Sequence, residues 1–412
     1  MIKSVVLQLF EKIDNVMIKE SLKVKNVGAL KDINLQELKP LTVLIGASAS
    51  GKSTLMKIIA LMRYIYKRVN IRSYIKNSQI DGAIFYIRFQ DYLKDGMKNL
   101  ITKDSEIEYI VETNGNRYIL SYLNGKLNAS IDIPNEDLTF FKEAWVSEMR
   151  NVIPVWASRG SFVSGSSFGF YFDETFSDFD EATDQVKDVD LDYLGMRLKI
   201  EKGGNNQKKF MISPKDGSYQ PIELKFASSG TQTTTPLVML MKYFANDFSF
   251  KNAMRRSIIL MLFEKNLTEK YHPGIELGNL PKYVHIHAEE PELSLDPRSQ
   301  RRLVNTMARY TFHEHDSERT MGLVLATHSP YIINHLNVLL RASYTDKGKE
   351  AYPYVMPDDI VAYKVTEGSL MNLMATDEET GQQVINTLDL SEIMEDIYND
   401  YDALSEEGVE NE

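Results

Sequence analysis

Leu41-Thr-Val-Leu-Ile45-Gly46-Ala-Ser-Ala-Ser-Gly51-Lys52-Ser53 is the stretch of sequence that decides the fold. The unbroken apolar run 41–45 predicts a strand that is buried on both faces of a mainly parallel sheet. The next eight residues match the pattern G-x-x-x-x-G-K-[ST], and apolar residues then recur at helical spacing over 52–68. A buried strand, this loop and a helix, in that order, are the context that a phosphate-binding loop requires. We therefore predict an α/β fold built around a P-loop.

The residue types of this loop suit the oxygens of a triphosphate. Glycines let backbone N–H groups turn toward phosphate oxygens, and the following helix presents its positive N-terminus to them. We expect Lys52 to bridge the β- and γ-phosphates and Ser53 to ligate Mg²⁺. The predicted nucleotide contacts are Gly46, Ala47, Ser48, Ala49, Ser50, Gly51, Lys52, Ser53 and Thr54. No residue securely reads the edge of a base, so the residues alone leave the base open.

A second buried strand, predicted at 282–291, ends in two adjacent carboxylates, Glu289 and Glu290. Such a pair is costly at a strand end unless it serves a cation or a proton transfer. Beside a P-loop, Glu289 would hold Mg²⁺ through water, and Glu290 would act as the general base that polarises the attacking water. The alternative is a strand that simply ends in polar residues.

Two further motifs carry weaker signals. Ser228-Ser229-Gly230-Thr231-Gln232 opens a helix predicted at 236–247, with Pro236 near its first turn, and a Ser-Gly turn there would form a second anion cradle. An ordinary serine cap explains it equally well when it is considered alone. A third buried strand is predicted within 322–330 and ends at His328, which would reach a γ-phosphate from there, although a lone histidine at a strand end is more often structural.

The composition is that of a folded protein with an acidic end. The 412 residues allow about two or three domains. The absence of cysteine excludes a disulfide scaffold, thiolate catalysis and iron–sulfur ligation. Fourteen carboxylates follow Lys364 and outweigh a net charge of +3 over residues 1–364, which gives the total of −11. This acidic tail is either solvated or docked on a basic partner. No spanning apolar run and no signal-peptide pattern is present, so we expect a cytoplasmic protein without membrane contact.

The remaining segments are less informative. Residues 82–133 predict short strands joined by Asn-Gly hairpins at 114–115 and 124–125, and hence an antiparallel subdomain. The acidic, aromatic stretch 171–193 predicts a loop or a short helix. An apolar helix within 249–281, with Arg255 and Arg256, would either dock a partner or pack as a solvated helix.

The order of these motifs resembles that of the ABC-type ATPase heads, among them the SMC, RecF and OLD-like proteins. Glu290-Pro-Glu-Leu-Ser-Leu-Asp296 keeps the register of that family's Walker B motif and D-loop. Ser229-Gly230-Thr231-Gln232 is similar to the signature motif, and His328 falls in the place of the switch histidine. The resemblance implies ATP and Mg²⁺ as cofactors, with Asp296 and the signature residues added to the nucleotide site. It also implies a metal-side glutamine, for which Gln90 is the best candidate, although Gln90 could be a plain surface residue.

Within the family, the absence of a coiled-coil pattern favours the compact RecF/OLD-like group. True OLD proteins continue into a Toprim nuclease domain, whose pattern is not found here, so we expect any nucleic-acid cleavage to come from a separate protein. The resemblance then implies a sensor ATPase that forms a homodimer or higher oligomer through its heads. It would control a separate effector nuclease or toxin, as in Septu-, PARIS- or retron-type anti-phage systems. The predicted units are an N-terminal ATPase lobe at 1–135, a partly helical insertion at 136–220, a C-terminal ATPase lobe at 221–375 and an acidic tail at 376–412.

Two alternatives stay open at this point. The chain could be an ATP-bound scaffold with little hydrolysis. It could also be a RecF-like repair ATPase that binds DNA with exposed basic residues. The candidate phosphate contacts are Lys67, Arg68, Arg72, Lys76, Arg298, Arg301 and Arg302.

Overall fold

The computed structural model of the chain describes residues 18–78, 86–157, 168–203, 208–263 and 280–407. Its strands are β1 (Lys19–Val27), β2 (Leu30–Leu38), β3 (Leu41–Ile45), β4 (Ile101–Thr113), β5 (Asn116–Leu123), β6 (Lys126–Asn128), β7 (Phe140–Val146), β8 (Asp188–Leu191), β9 (Met196–Lys202), β10 (Lys208–Pro214), β11 (Ile222–Glu223), β12 (Lys282–Glu289), β13 (Thr320–Thr327), β14 (Ile360–Thr366), β15 (Ser369–Asn372), β16 (Met374–Thr376) and β17 (Gln383–Ile385).

The α-helices are α1 (Lys52–Asn77), α2 (Met97–Leu100), α3 (Ile153–Ala157), α4 (Phe170–Gln185), α5 (Ser229–Lys242), α6 (Phe250–Phe263), α7 (Pro297–Phe312), α8 (Pro330–Ala342), α9 (Asp346–Ala351) and α10 (Leu388–Glu407). Short 3-10 helices lie at Phe89–Tyr92, Asn135–Asp137, Glu148–Val152, Asp192–Leu194, Leu224–Phe226 and Pro357–Asp359, and a π-helical turn at Tyr243–Asp247.

Eleven strands form one mixed sheet in the order β6-β5-β4-β1-β2-β15-β14-β3-β13-β12-β7. The strands from β14 to β7 in this order run parallel to one another, and we call them the parallel half. The strands from β6 to β2 pair antiparallel and form the antiparallel half. Strand β15 joins the halves, since it pairs antiparallel with β14 and parallel with β2 through Ser369 and Asp32. The chain is thus an α/β protein with a large mixed sheet.

The parallel half confirms the predicted buried strands. Every residue of β3 is buried, and β12 and β13 are buried after their first residues. Helix α1 crosses the sheet from the P-loop and runs nine residues beyond the predicted end at 68. The extension follows from Val69, Ile71 and Tyr74, which continue the buried face of the helix.

The antiparallel half confirms both predicted hairpins. Asn114 and Gly115, and likewise Asn124 and Gly125, all have positive φ, as two-residue hairpin turns of this kind require. These strands do not form a separate subdomain, however, because β4 pairs with β1 and extends the main sheet. The strand predicted at 83–89 is wrong for residues 86–88, which are irregular, and residues 83–85 lie outside the described part.

The middle of the chain is more regular than the sequence suggested. Residues 140–146 form the edge strand of the parallel half, next to β12. Residues 170–185 form a helix of 16 residues rather than a loop or short helix. Phe172, Phe176 and Phe179 are buried at helical spacing along its inner face, so the signal was present but hidden among carboxylates. The next strands form a four-stranded antiparallel sheet in the order β11-β10-β9-β8.

The C-terminal part corrects one helix start and locates the acidic tail. Helix α5 begins at Ser229, so Pro236 lies inside the helix and not in its first turn. Much of the acidic tail forms α10, whose Ile397 and Leu404 are exposed. No helix in the described part of the chain combines the length and the apolar composition needed to cross a bilayer. The predicted domain boundaries stay predictions.

Candidate functional site

The P-loop has a backbone that requires glycine at two positions. Gly46 has φ +156°, and a Cβ there would lie 2.3 Å from the backbone oxygen of Val365. Gly51 has φ +104°, and a Cβ there would lie 2.7 Å from Cδ2 of Leu30. Side chains at either position would therefore disrupt the loop. The buried hydroxyl of Ser50 has no hydrogen-bond partner among the residues that the structure describes, which leaves a donor within the cradle for a phosphate oxygen.

Lys52 lies across this loop. Its Nζ donates to the carbonyl oxygens of Gly46 at 2.8 Å and of Ala47 at 2.9 Å. Burial lowers the pKa of Lys52, while the nearby charges of Glu290 and Glu292 oppose that shift. The ammonium group is therefore held between the loop and the carboxylates that follow β12, where a γ-phosphate would need a positive charge.

A pair of carboxyl groups lies beside the P-loop. Burial, and then a hydrogen bond and the charge of Glu148, raise the pKa of Glu289 to about 8, whereas Lys57 and a hydrogen bond from Ser53 act in the opposite direction. The pKa of Glu148 is lowered by the same hydrogen bond. The two carboxyl groups therefore lie within hydrogen-bonding reach of each other. Two adjacent carboxyl groups beside a serine hydroxyl form a place that a divalent cation would fill.

The donor set at this point fits Mg²⁺. Magnesium takes one or two carboxylates and completes its shell with water and substrate phosphates. Glu289, Glu148 and the hydroxyl of Ser53 supply this kind of set. Elsewhere and here, the described residues contain no group of three or more histidine or acidic side chains that could hold a metal ion by themselves.

Glu290 and His328 meet at the ends of β12 and β13. Oε1 of Glu290 lies 3.3 Å from Nε2 of His328, and both side chains are partly exposed. Glu292 fixes the segment around His328, since its Oε1 accepts from the Thr327 hydroxyl at 2.7 Å and from the His328 backbone N–H at 2.8 Å. The predicted base and switch histidine are thus in contact, and Glu292 is a supporting residue that the sequence analysis missed.

Arg150 connects the parts of the site. Its side chain is completely buried, and it donates to the carbonyl oxygens of Glu289 and Glu290 at 2.6 Å each. It also donates to the oxygens of Ser147 at 3.1 Å and of Thr233, in α5, at 2.9 Å. One guanidinium thus contacts the ends of β7 and β12 and helix α5. Because α5 begins with the predicted signature residues, we call it the signature helix.

The predicted signature motif lies at the start of α5, and the predicted D-loop precedes α7. Ser228 caps α5, Ser229 is exposed, and Thr231 is buried with its hydroxyl 2.8 Å from that of Ser228. The Gln232 amide donates to the oxygens of Lys225 and Ala227, so it secures the preceding loop. A Cβ on Gly230 would lie 2.7 Å from the oxygen of Ser294, hence the motif packs against the D-loop of its own chain. Asp296 is exposed and caps α7 by accepting from the backbone N–H groups of Arg298 and Ser299.

Gln90 is exposed on the 3-10 helix Phe89–Tyr92, and its role at the metal stays a prediction. Glu148 is the side chain that lies beside Glu289. The sequence signal for Glu148 was weak, because it depended on recognising 140–146 as a strand next to β12. With that strand known, polar residues directly after it would have become candidates.

The basic residues considered for DNA binding divide into two groups. Those of α1 serve the fold: Lys67 lies 5.1 Å above the ring of Phe140, Arg72 donates to the backbone oxygens of Ala129 and Ile131, and Lys76 pairs with Asp132. Arg298, Arg301 and Arg302 of α7 are exposed. The predicted basic run 67–76 is therefore not a continuous exposed surface.

No protein-family model matches the chain, and no curated protein matches it. Among solved structures, the SMC head domain from Thermotoga maritima shares 12% identity at a TM-score of 0.36, covering 86% of this chain and 98% of that chain. The recombination mediator protein RecF shares 10% at a TM-score of 0.36, covering 87% and 99%. A bacterial ABC transporter cassette in a dimeric structure shares 12% at 0.29, covering 87% and 100%. At this similarity these matches carry no argument, and the α/β P-loop fold rests on the sheet order and loop geometry above.

Proposed function

We propose that this protein is an ABC-type ATPase, which binds ATP with Mg²⁺ at the P-loop and hydrolyses it. The observation that carries the proposal is the meeting of four distant segments at one edge of the parallel half. Lys52, Glu289 and the Glu290–His328 pair lie there together, and Glu148 joins them. Phosphoryl transfer to water needs a cation site, a phosphate cradle and a general base. Here the base would be the Glu290 carboxylate, which contacts His328.

The residues divide the chemistry among themselves. Glu290 accepts a proton from water as the water oxygen bonds to the γ-phosphorus and the bond to the β-phosphate oxygen breaks, which leaves ADP and phosphate. His328 positions the carboxylate of Glu290 and contacts the γ-phosphate. Lys52 and the loop N–H groups hold the phosphate oxygens. When bound, Mg²⁺ would neutralise charge on the β- and γ-phosphates, and Ser53, Glu289 and Glu148 would hold it.

The proposed active unit is a homodimer or higher homo-oligomer. Ser229 is exposed at the N-terminus of α5, where the backbone N–H groups and helix dipole favour an anion. In the proposed arrangement, Ser229 and Gly230 of one copy contact the γ-phosphate bound by the P-loop of the other copy, with Asp296 nearby. The exposure of Ser229 and Asp296 supports this arrangement.

Glu290→Gln tests the assignment. The variant keeps the shape of the side chain but cannot accept the proton, so ATP turnover should fall by about 100-fold or more while ATP binding remains. The ATP-bound variant should also elute as a dimer in size-exclusion chromatography. Glu106→Gln is the matched control, because Glu106 is exposed on β4. Turnover in Glu290→Gln equal to that of the control would contradict the proposal.

The narrower proposal is that this ATPase regulates a separate effector nuclease or toxin in an anti-phage system. It is supported by Glu289-Glu-Pro-Glu292, a form that resembles the one found in OLD-like ATPases. Copurification with the product of the adjacent gene, with and without ATP, tests it. Nucleotide-dependent association with a nuclease or toxin is the expected result, and a wild-type ATPase that associates with no neighbouring product would contradict this narrower role alone.

A further inference from the structure

Arg150 is buried at the point where three segments of the site meet. It lies on the 3-10 helix Glu148–Val152, which follows the edge strand β7 and is capped by Ser147. Within the described residues its guanidinium makes four hydrogen bonds, and all four acceptors are backbone oxygens. Because the acceptors belong to the main chain, these hydrogen bonds fix the relative positions of the backbone segments and do not depend on the conformation of their side chains.

One set of these contacts holds the carboxylates that we assign to catalysis. Glu290 has φ +41°, a left-handed conformation that costs about 1 kcal/mol or more for a residue other than glycine. Its carbonyl oxygen accepts from Arg150 and its N–H donates to Ala326 at 2.8 Å. The strained turn that directs Glu290 toward His328 is therefore held on one side by Arg150.

The other contact reaches the signature helix. Nε of Arg150 donates to the oxygen of Thr233, one helical turn after Ser229. Helix α5 is continuous from Ser229 to Lys242, and Gly230 is packed against Ser294. A displacement at the exposed start of this helix therefore moves the acceptor of Arg150.

The charge of Arg150 reinforces the link. Burial lowers the pKa of Arg150 to about 10, while Glu292, Glu289, Glu290 and Glu148 oppose that shift. The side chain thus stays charged at neutral pH. A buried cation is costly unless its hydrogen bonds are complete, so the arginine resists any movement that separates the three segments.

We propose that Arg150 is a positioning residue that couples the signature helix to the catalytic carboxylates of the same chain. Nucleotide contact at Ser229 and Gly230, made in the other composite site, is transmitted through Thr233 and Arg150 to Glu289 and Glu290. The two sites of a dimer are then coupled, because each chain senses its partner's nucleotide before its own base is in place. This inference rests on the proposed ATPase function.

Arg150→Lys tests the coupling, with Arg319→Lys as a matched control. Lysine keeps the charge but cannot form the fork that spans three segments. Arg319 is a suitable control, since it is only 8% exposed and also donates to backbone oxygens, those of Phe244, Asn246 and Phe248. It directly precedes β13 and so lies at the amino ends of the parallel strands, away from the site at their carboxyl ends. We expect Arg150→Lys to lower kcat about tenfold or more with less than about threefold change in the KM for ATP. Arg319→Lys should lower the melting temperature without lowering kcat.

Combining Arg150→Lys with Ser229→Arg separates coupling from simple destabilisation. Blocking the signature contact removes the signal that Arg150 transmits, so the effects of the two changes on kcat should be strongly non-additive. Additive effects, or an Arg150→Lys variant with the kcat of the wild type, would overturn the inference while leaving the ATPase assignment intact. A wild-type protein without ATP turnover would instead refute the proposed function.

Hydrogen exchange supplies a test that does not depend on the folding of the Arg150 variants. In the wild-type protein, a non-hydrolysable ATP analogue should slow exchange at the amides of 147–150 and 289–290. In Ser229→Arg this protection should be lost, although the P-loop amides stay protected. Equal protection of 147–150 and 289–290 in both proteins would also overturn the inference.

Discussion

The two halves of the eleven-stranded sheet differ in the direction of their strands and therefore in where the strand ends lie. In the parallel half, the strands come from widely separated parts of the chain, and their carboxyl ends meet at one edge. In the antiparallel half, β4, β5 and β6 follow one another through tight turns, and successive strand ends lie at opposite edges. Every residue that we assign to catalysis or metal binding ends or follows a strand of the parallel half. The antiparallel half completes the sheet by local pairing.

The difference shows where chemistry can accumulate in a sheet of this kind. Parallel strands need long crossovers, so their neighbouring ends collect residues that are far apart in sequence. Lys52, Glu148, Glu290 and His328 are brought together in this way. Hairpins bring together residues that are already close in sequence. The Asn-Gly pairs in these turns adopt the positive φ that the turns require. The comparison can be tested by making equivalent changes in the two halves.

Replacing one glycine in each half should show the largest difference. Gly46→Ala combines a positive φ with a clash against the backbone of Val365, so we expect a loss of about 3 kcal/mol or more in unfolding free energy. Gly115→Ala meets nothing within 4 Å and carries only the conformational cost, about 1 kcal/mol. Urea denaturation of both variants measures the difference. Equal losses would contradict the close packing of the P-loop.

The buried carboxylate of the parallel half should make stability depend on pH. Glu143 of β7 binds Nδ1 of His285 and Nε2 of His287, both at 2.8 Å. Burial alone would raise the pKa of Glu143, but the two histidines lower it below the usual value. A lowered carboxyl pKa stabilises the fold above pH 4.5 and loses that contribution as the pH falls below it.

Glu143→Gln should therefore cost about 2 kcal/mol at pH 7, and the gap from wild type should shrink below pH 4.5. The pKa of His287 is lowered by burial, so both proteins should also lose stability as the pH falls below 6.5. Chemical denaturation between pH 7 and pH 4 checks both effects. A gap that is constant over this range would contradict a Glu143 carboxylate that the two histidines keep ionised.

Glu148→Gln tests the residue that the sequence analysis missed. The amide keeps the hydrogen bond to Glu289 but removes a charge from the proposed cation site, so half-maximal turnover should need about tenfold more Mg²⁺. Titration of Mg²⁺ at saturating ATP measures this shift, and Glu106→Gln of the antiparallel half serves as the control. An unchanged magnesium requirement would remove Glu148 from the site.

The smallest effect is expected at an ion pair on the exposed face of the antiparallel half. Lys23 and Glu108 lie 3.0 Å apart on neighbouring strands, and both are well exposed. Glu108→Gln should change the unfolding free energy by less than about 0.5 kcal/mol and leave turnover unchanged. Denaturation at low and high salt checks this. A loss of turnover here would contradict the separation of the two halves.

Local features of the sequence were sufficient for much of this fold. The buried strands β3, β12 and β13, the helix after the P-loop and both Asn-Gly hairpins were predicted from short patterns, because apolar periodicity and turn chemistry act over a few residues. Once the P-loop motif around Lys52 was recognised, the carboxylates Glu289 and Glu290 could also be predicted as part of the site. Helix α4 was missed although its phenylalanines are spaced for a helix, since the carboxylates between them suggested a loop.

The sequence by itself determined which residue types could handle a phosphate, a cation and a proton, because those requirements are chemical and appear in short motifs. Only the tertiary structure decided which strands are neighbours. It placed Glu148 beside Glu289, put Arg150 between the signature helix and Glu290, and left Gln90 on an exposed turn. The physical reason is that the pairing of distant parallel strands is set by packing across the whole sheet, and no local pattern records which strand ends will meet.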